Sequence, residues 1–313
     1  YDPDTGFAGL YVDGVLDDST ATVPTSIQSI PATDFQIGHN ASDNGGAPLK
    51  AAVDDVQVYS QALSAAQIAY LYNSPGDALT ADPSDAPPIG RWMFDDASGA
   101  SAADASANGY DLAQVNGDGS WTTGKAGGAY NKPRFTADTT ESDALNLTGA
   151  GSVSLSMWVT VHNTAQYAGM AGFEGTGTDG DIYSLKMLDN DKITWNLSGA
   201  TSITSPDTLA NYATATGDGW VHVVGVYDGS ANTNTLYING SPVASGSVTT
   251  PIPDKTTPSL FRIGTYYNSN SFEFNGSIDD VQLYEQALSA AQVADLYNDP
   301  GMAFSIGTIF RFR

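Results

Sequence analysis

The 313-residue chain carries 11 basic and 35 acidic residues, a net charge of −24, with 33 glycines, no cysteine and 15% charged residues. These figures exclude a disulfide framework, a zinc–thiolate centre and a cysteine nucleophile. They also exclude a nucleic-acid surface, which needs clustered Lys and Arg. With 41% hydrophobic and 10% aromatic residues, the chain can build a core, and its length suits about two domains or one large β domain with an appendage.

The acidity is mostly aspartate, because Glu141, Glu174, Glu273 and Glu285 are the four glutamates. Asp, Asn, Gly, Ser and Thr dominate the polar set, which is turn and strand-edge chemistry. Loops of short oxygen ligands suit Ca²⁺, and they equally suit solubility and tolerance of salt. No apolar run reaches the ~18–20 residues of a membrane helix, so no membrane insertion is expected. Tyr1-Asp2-Pro3-Asp4 has neither the basic nor the apolar region of a signal peptide and reads as a processed or trimmed end.

Along the chain, Gly9–Leu16 carries Asp13-Gly14 between apolar residues, the strongest short-range signal for a β-hairpin. Asp54-Asp55-Val56-Gln57 opens a strand, and Ser64-x-x-Gln67 is the capping box of a helix with an apolar stripe of Ile68, Leu71 and Tyr72. Asn73-x-Pro75-Gly76 stops that helix. Residues 77–87, acidic and Pro-rich, read as a stiff linker. Val153–Val161 alternates, with Val153, Leu155, Met157 and Val159 on one face. Trp220–Tyr227 is apolar on both faces and is expected to be a central strand. Thr235–Val243 carries Asn239-Gly240, a second hairpin signal. Ser289-x-x-Gln292 caps a second helix with Val293, Leu296 and Tyr297 behind it.

An internal repeat organises these elements. Asp54–Gly76 and Asp279–Gly301 are identical at 18 of 23 positions, at an offset of 279 − 54 = 225. Upstream, Leu10–Gly14 matches Leu236–Gly240 and Phe35–Gly38 matches Phe261–Gly264, at an offset of 226. This register predicts two copies of one fold. Residues 1–76 form the back half of one copy, 88–301 a complete copy, and 302–313 a tail that departs from the linker pattern. The tail alternates Ile309 with Arg311 and Phe310 with Phe312, so it is expected to add a strand to a sheet edge of its own or a neighbouring subunit, with a frayed end as the alternative. The half copy would expose a core face and open edges, and is expected to be completed by an upstream half in a longer parent or by another chain.

Gly90-Arg91-Trp92-Met93-Phe94-Asp95-Asp96, then Gly124-Lys125-Ala126-Gly127-Gly128, Ser154-Leu155-Ser156-Met157-Trp158-Val159, Gly219-Trp220-Val221-His222-Val223-Val224 and Gly276-Ser277-Ile278-Asp279-Asp280-Val281 stand in order along the chain. In these motifs the chain resembles the concanavalin A-like lectin/glucanase superfamily, in its LamG-like jelly-roll branch. The resemblance implies an all-β fold, an antiparallel β-sandwich of jelly-roll type in tandem copies with one short helix per copy. It also implies that a structural Ca²⁺ can sit where the first and last strands meet. The matching positions are Asp95 or Asp96 and Asp279 or Asp280, with Asp54 and Asp55 as the equivalents in the first copy. Adjacent strand residues point to opposite faces, so one of each pair is expected to face the ion, and Asp279 is the choice in its pair. The alternative is that these aspartates cap turns. Asp179-Gly180-Asp181 and Asp189-Asn190-Asp191 read as simple turns.

Glycoside hydrolysis needs a carboxyl pair, and no glutamate begins the Glu-x-Asp run that glycanases of this superfamily carry. His222, inside a core strand, reads as structural. Sugar binding calls for an aromatic platform, for which Tyr183 and Trp195, flanking a hairpin, and Tyr266 and Tyr267 are the candidates, with Trp121, Tyr167 and Tyr212 behind them. The expectation is a non-catalytic extracellular or cell-surface module that binds glycan or protein ligands. A self-assembling structural subunit is the alternative, and a glycoside hydrolase or polysaccharide lyase a distant third.

Overall fold

The computed structural model describes residues 7–20, 37, 50–59, 63, 65–73, 75, 86–115, 118–147, 151–162, 167–175, 181–198, 202–249, 252, 259–266, 272–304 and 309–312. The expected capping residue Ser64, the aromatic Tyr267, residues 77–85 of the linker and the Asp179-Gly180 turn lie outside them. The chain divides into two units, Tyr1–Pro83 with Ile306–Arg313 and Ser84–Ser305.

In the smaller unit β1 (Ala8–Val12) and β2 (Val15–Thr20) pair as the expected hairpin. Its turn places Asp13 at φ 52° and Gly14 at φ 77°, the left-handed pair that a two-residue turn demands. β3 (Val56–Tyr59) precedes α1 (Ala65–Asn73).

The larger unit begins with β4 (Gly90–Trp92), β5 (Ser101–Ala102), β6 (Leu112–Gln114), β7 (Ser120–Thr123), β8 (Gly128–Asn131), β9 (Phe135–Thr136) and α2 (Thr139–Leu145). It continues through β10 (Ser152–Val161), β11 (Ala168–Gly175), β12 (Tyr183–Met187), β13 (Lys192–Leu197), β14 (Ile203–Thr208) and α3 (Leu209–Thr216). It ends with β15 (Val221–Asp228), β16 (Thr233–Ile238), β17 (Ser241–Ser247), β18 (Ser259–Ile263), β19 (Gly276–Tyr284) and α4 (Ala290–Asn298). The tail strand β20 (Ile309–Phe312) pairs antiparallel with β3 of the smaller unit, Phe310 opposite Val58 and Phe312 opposite Val56.

Two antiparallel sheets face each other in the larger unit. One runs β17-β16-β15-β10-β19-β8-β7, with β4 also on β19, and the other runs β14-β13-β12-β11-β18-β9-β6-β5. The core lies between them. Val153, Leu155, Met157 and Val159 enter it from β10, as the alternation predicted. β15 is apolar on both faces for a structural reason. Val221 and Val223 join that core, while Val224 and Val226 join a second cluster with Tyr284, Leu288, Val293, Leu296 and Phe304, so helix α4 covers the outer face.

The Ser289–Gln292 cap read from sequence operates here. Ser289 Oγ accepts from the Gln292 amide at 3.2 Å, and Gln292 Oε1 accepts from the Ser289 amide at 2.8 Å. Two short helices were not anticipated, α2 and α3. Each carries a local signal, the Asp138–Glu141 capping box and the Thr208 cap, but at 7 and 8 residues neither is long enough to show a helical period.

Trp195 is fully buried and lies over Gly225, where a Cβ would come within 2.2 Å of the indole. Gly225→Ala is therefore expected to destabilise the larger unit by about 1–3 kcal/mol, and Ser289→Ala by about 1 kcal/mol. Denaturant unfolding of the full chain reads both, and an unchanged midpoint for Gly225→Ala would show that Trp195 yields without cost.

Candidate functional site

Strand β12 reads Tyr-Ser-Leu-Lys-Met, and the pleat sends alternate residues to opposite faces. Tyr183, Leu185 and Met187 enter the core, which leaves Ser184 and Lys186 on the outer face. The register continues that face across the hairpin, Lys186 opposite Thr194 and Ser184 opposite Asn196, and then to Thr204 on β14. The result is a cleft of about 390 Å³ whose lining includes Tyr167, Asp181, Lys186, Thr194, Asn196 and Tyr266.

Asp181 and Lys186 form a buried ion pair at the floor, each side chain 3% exposed. Asp181 Oδ2 also accepts from Asn196 Nδ2 at 2.8 Å and from Ser184 Oγ at 3.3 Å. Its Oδ1 is buried and has no hydrogen-bond partner among the described residues. The Lys186 ammonium lies 3.8 Å from the Tyr266 ring centre and 5.9 Å from that of Tyr167. Tyr167, Tyr266 and Phe272 contact one another edge to face, with ring centres 5.6–5.8 Å apart. The floor thus offers a carboxylate acceptor, an amide, an ammonium and hydroxyls, and aromatic rings stand beside it.

Of the expected aromatic platform, Tyr266 and Tyr167 line this cleft. Tyr183 and Trp195 do not, and the expectation that they meet ligand is corrected. They share a face, but it is the core face: both are fully buried, and Tyr183 Oη donates to the Leu145 carbonyl at 2.7 Å. Trp121 packs edge-on against Tyr130, with ring centres 4.9 Å apart, and Tyr212 packs on the core. Asp181 and Lys186 were not singled out as ligand contacts. The signal that could have found them is a lysine in the middle of an apolar strand. Asp189-Asn190-Asp191 is the β12–β13 turn, with Asp191 at φ 64°.

The aspartates of β19 separate at a bulge, where the register against β10 shifts and Asp280 takes φ 43°. Asp280 turns to the outer face, where Arg91 Nε lies 3.2 Å from Oδ1 and Gln282 Nε2 donates to Oδ2 at 2.8 Å. Asp280 is therefore an ion-pair partner. Asp279 turns to the loop before β8. Its Oδ2 accepts from the amides of Lys125 and Ala126 at 2.7 and 2.9 Å, while Oδ1 is buried and has no hydrogen-bond partner of good geometry among the described residues. Gly124 sits so close that a Cβ would lie 2.5 Å from Oδ2. Burial, reinforced by the charge of Asp280 and opposed by the amides of Ala126 and Lys125, pushes the Asp279 carboxyl up to about 8. Asp95 and Asp96 are both exposed, Asp95 accepting from the Gly128 amide at the start of β8 and Asp96 from the Ala103 amide at 3.4 Å. No three acidic or His side chains converge among the described residues. One carboxylate, that of Asp279, and two main-chain amides meet here among the described residues.

In the smaller unit Asp55 repeats the backbone of Asp280 at φ 49°, and Gln57 Nε2 donates to its Oδ2 at 3.1 Å. Asp54 Oδ1 accepts from the Asp55 amide at 2.9 Å, a local turn contact. His222 is buried with Nε2 3.0 Å from Ser156 Oγ, and burial pushes it down to about 3, so it is neutral at physiological pH.

A 154-residue stretch is 30% identical to the zebrafish (Danio rerio) adhesion G-protein coupled receptor V1, over 47% of this chain and 2% of the receptor. The chain therefore spans a small fraction of that relative's length. Among solved structures, the binding domain of Paraclostridial Mosquitocidal Protein 1 superposes with a TM-score of 0.53 at 17% identity, over 69% of this chain and 52% of that one. Trypanosoma rangeli sialidase superposes with a TM-score of 0.50 at 17% identity, over 67% and 32%. Both likenesses are of fold. A laminin G family model matches residues 1–69 and 136–294, and on that match, joined to the two facing antiparallel sheets, the chain belongs to the concanavalin A-like lectin/glucanases superfamily.

Proposed function

We propose that the chain is a non-catalytic, extracellular carbohydrate-binding module whose ligand enters the cleft over Asp181 and Lys186. The observation that carries this is the make-up of the cleft, in which Asp181, Lys186 and Asn196 form a polar floor flanked by the Tyr167 and Tyr266 rings. Sugar hydroxyls both donate and accept, which matches a floor with a carboxylate, an ammonium and an amide within one small volume. The adjoining Tyr266 and Tyr167 rings offer apolar faces to a pyranose. The cleft has the volume of a small-molecule site rather than of a flat protein interface.

Hydrolysis is a poor fit. It needs two carboxyl groups flanking the bond, and the lining described here holds one, tied to Lys186. Likeness to an adhesion receptor and to a toxin binding domain supports an outward-facing binding role, and no helix among the described residues is long and apolar enough to cross a membrane.

The test is a screen of neutral and anionic oligosaccharides on the full chain, followed by titration calorimetry. Asp181→Asn and Tyr266→Ala are each expected to weaken binding by about 10–100-fold, the equivalent of about 1.5–3 kcal/mol for a hydrogen bond to a charged group. Binding that both variants leave unchanged would place the ligand elsewhere.

The calcium reading belongs to the same module as a structural ion held by Asp279. Ca²⁺ accepts carboxylate and carbonyl oxygens, and the Asp279 carboxylate, losing its proton to the ion, would supply the charge. Without a cation, the folded chain keeps a proton on Asp279 that the unfolded chain releases near the ordinary carboxylate value of ~4. Its contribution to stability is therefore full below pH ~4 and is lost as pH rises through about 8. In EDTA the melting temperature is expected to fall across that window, and Asp279→Asn to flatten the fall. Ca²⁺ at 100-fold its dissociation constant should raise the melting temperature by roughly 5–10 °C near pH 8. A calcium shift that persists in Asp279→Asn would remove this residue from the site.

A further inference from the structure

Among its described lining residues the cleft holds one acid and one base, and the two are paired with each other. The Lys186 ammonium donates to Asp181 Oδ2. It also stands over the Tyr266 ring, 3.8 Å from its centre, and 5.9 Å from the centre of Tyr167. Its neighbours are therefore a carboxylate and two aromatic rings, each of which neutralises part of its field. With each side chain 3% exposed, water does little to screen the pair.

Other cations are engaged elsewhere. Lys192, two residues before Thr194 on β13, donates to the Pro206 carbonyl at 2.8 Å. Arg262 on β18 is 2% exposed. Neither is among the described residues that line the cleft. The segments that run on in sequence from the lining residues, 163–166, 176–180, 199–201 and 267–271, contain Asp179 and no Lys or Arg. The whole chain adds a net charge of −24.

An acidic ligand in this cleft would set a second carboxylate against Asp181 in competition for one ammonium. Turning Lys186 to the newcomer would leave Asp181 buried without its counter-ion, a strongly unfavourable state. A hydroxyl requires neither, because it donates and accepts at the same floor without adding charge. We propose, resting on the carbohydrate-binding reading above, that the cleft selects neutral, polyhydroxylated sugars and rejects their acidic counterparts, with Asp181 as the residue that sets the choice. Repulsion of the unwanted ligand is a general route to discrimination between ligands of one shape.

The test titrates the full chain with hexasaccharides of glucose, galactose and mannose, and with the same chains oxidised from hydroxymethyl to carboxylate at C6. A neutral form is expected to bind, and its acidic counterpart to bind about 10–100-fold more weakly at low salt. Salt shortens the reach of the chain's negative field, so raising it is expected to narrow that gap and to leave the neutral affinity unchanged. Asp181→Asn, which leaves Lys186 without its carboxylate, is expected to weaken the neutral form and to shrink or reverse the preference. An acidic form that binds the unmodified chain as tightly as the neutral one overturns the selectivity and leaves the carbohydrate reading standing. A folded Asp181→Asn chain with its preference intact also overturns it, and if that variant does not fold, the comparison on the unmodified chain decides. If none of these sugars binds, the selectivity falls, and the wider oligosaccharide screen decides separately whether the carbohydrate reading falls with it.

Discussion

Strand β19 is buried on both faces along all nine residues, and the larger unit depends on that burial. Its inner face, Ile278, Val281 and Leu283, lies in the core between the sheets. Its outer face is roofed by helix α4 and Phe304. A strand sealed on both sides has no water for its polar groups, so each must find a protein partner. The outer face solves this with a chain in which Tyr284 donates to Gln282, Gln282 to Asp280, and Arg91 reaches Asp280 from the opening strand. The bulge at Asp280 makes the solution possible: Ile278 and Val281 both enter the core, so both carboxylates between them are kept out of it, and the arginine takes one. Asp279 is left to the amides of Lys125 and Ala126.

The other sheet meets a similar problem in the open. Lys186 and Asp181 are nearly as buried as a core pair, yet they line a cleft. Desolvating two charges costs more than a surface pair returns, so such a pair is weak evidence of stabilisation. Three donors, Lys186, Asn196 and Ser184, converge on one oxygen of Asp181 and, among the described residues, none on the other. These bonds hold the carboxylate in one orientation at the floor of the cleft.

What was legible in the sequence follows from how local each signal is. Asp13-Gly14 and Asn239-Gly240 announced their turns because left-handed φ values select those residues with no help from the rest of the chain. Ser289 and Gln292 announced a helix start for the same reason. Tyr183 and Trp195 show the limit. A period of two says that they share a face, and it does not say whether that face is core or solvent. The deciding fact is the neighbour across the sandwich, Gly225, which leaves room for the indole and lies 30 residues away (225 − 195). The Asp279–Asp280 bulge was hidden likewise, because a bulge is a mismatch between two strands and belongs to neither sequence alone.

The pairing of β19 with the opening strand also fixes a timetable. Trp92 and Val281 are direct partners although 189 residues separate them (281 − 92). At ribosomal rates of about 5–20 residues per second, the first of them waits roughly 10–40 s for the second. Throughout that interval Trp92 and Phe94, joined after 60 residues (152 − 92) by the inner face of β10, exist without the strand that unites them. Long-range antiparallel closure of this kind is slow even in a finished chain. The protein's exposure to aggregation is thus greatest during its own synthesis, when the aspartate-rich, strongly negative chain has its mutual repulsion to keep neighbouring nascent copies apart.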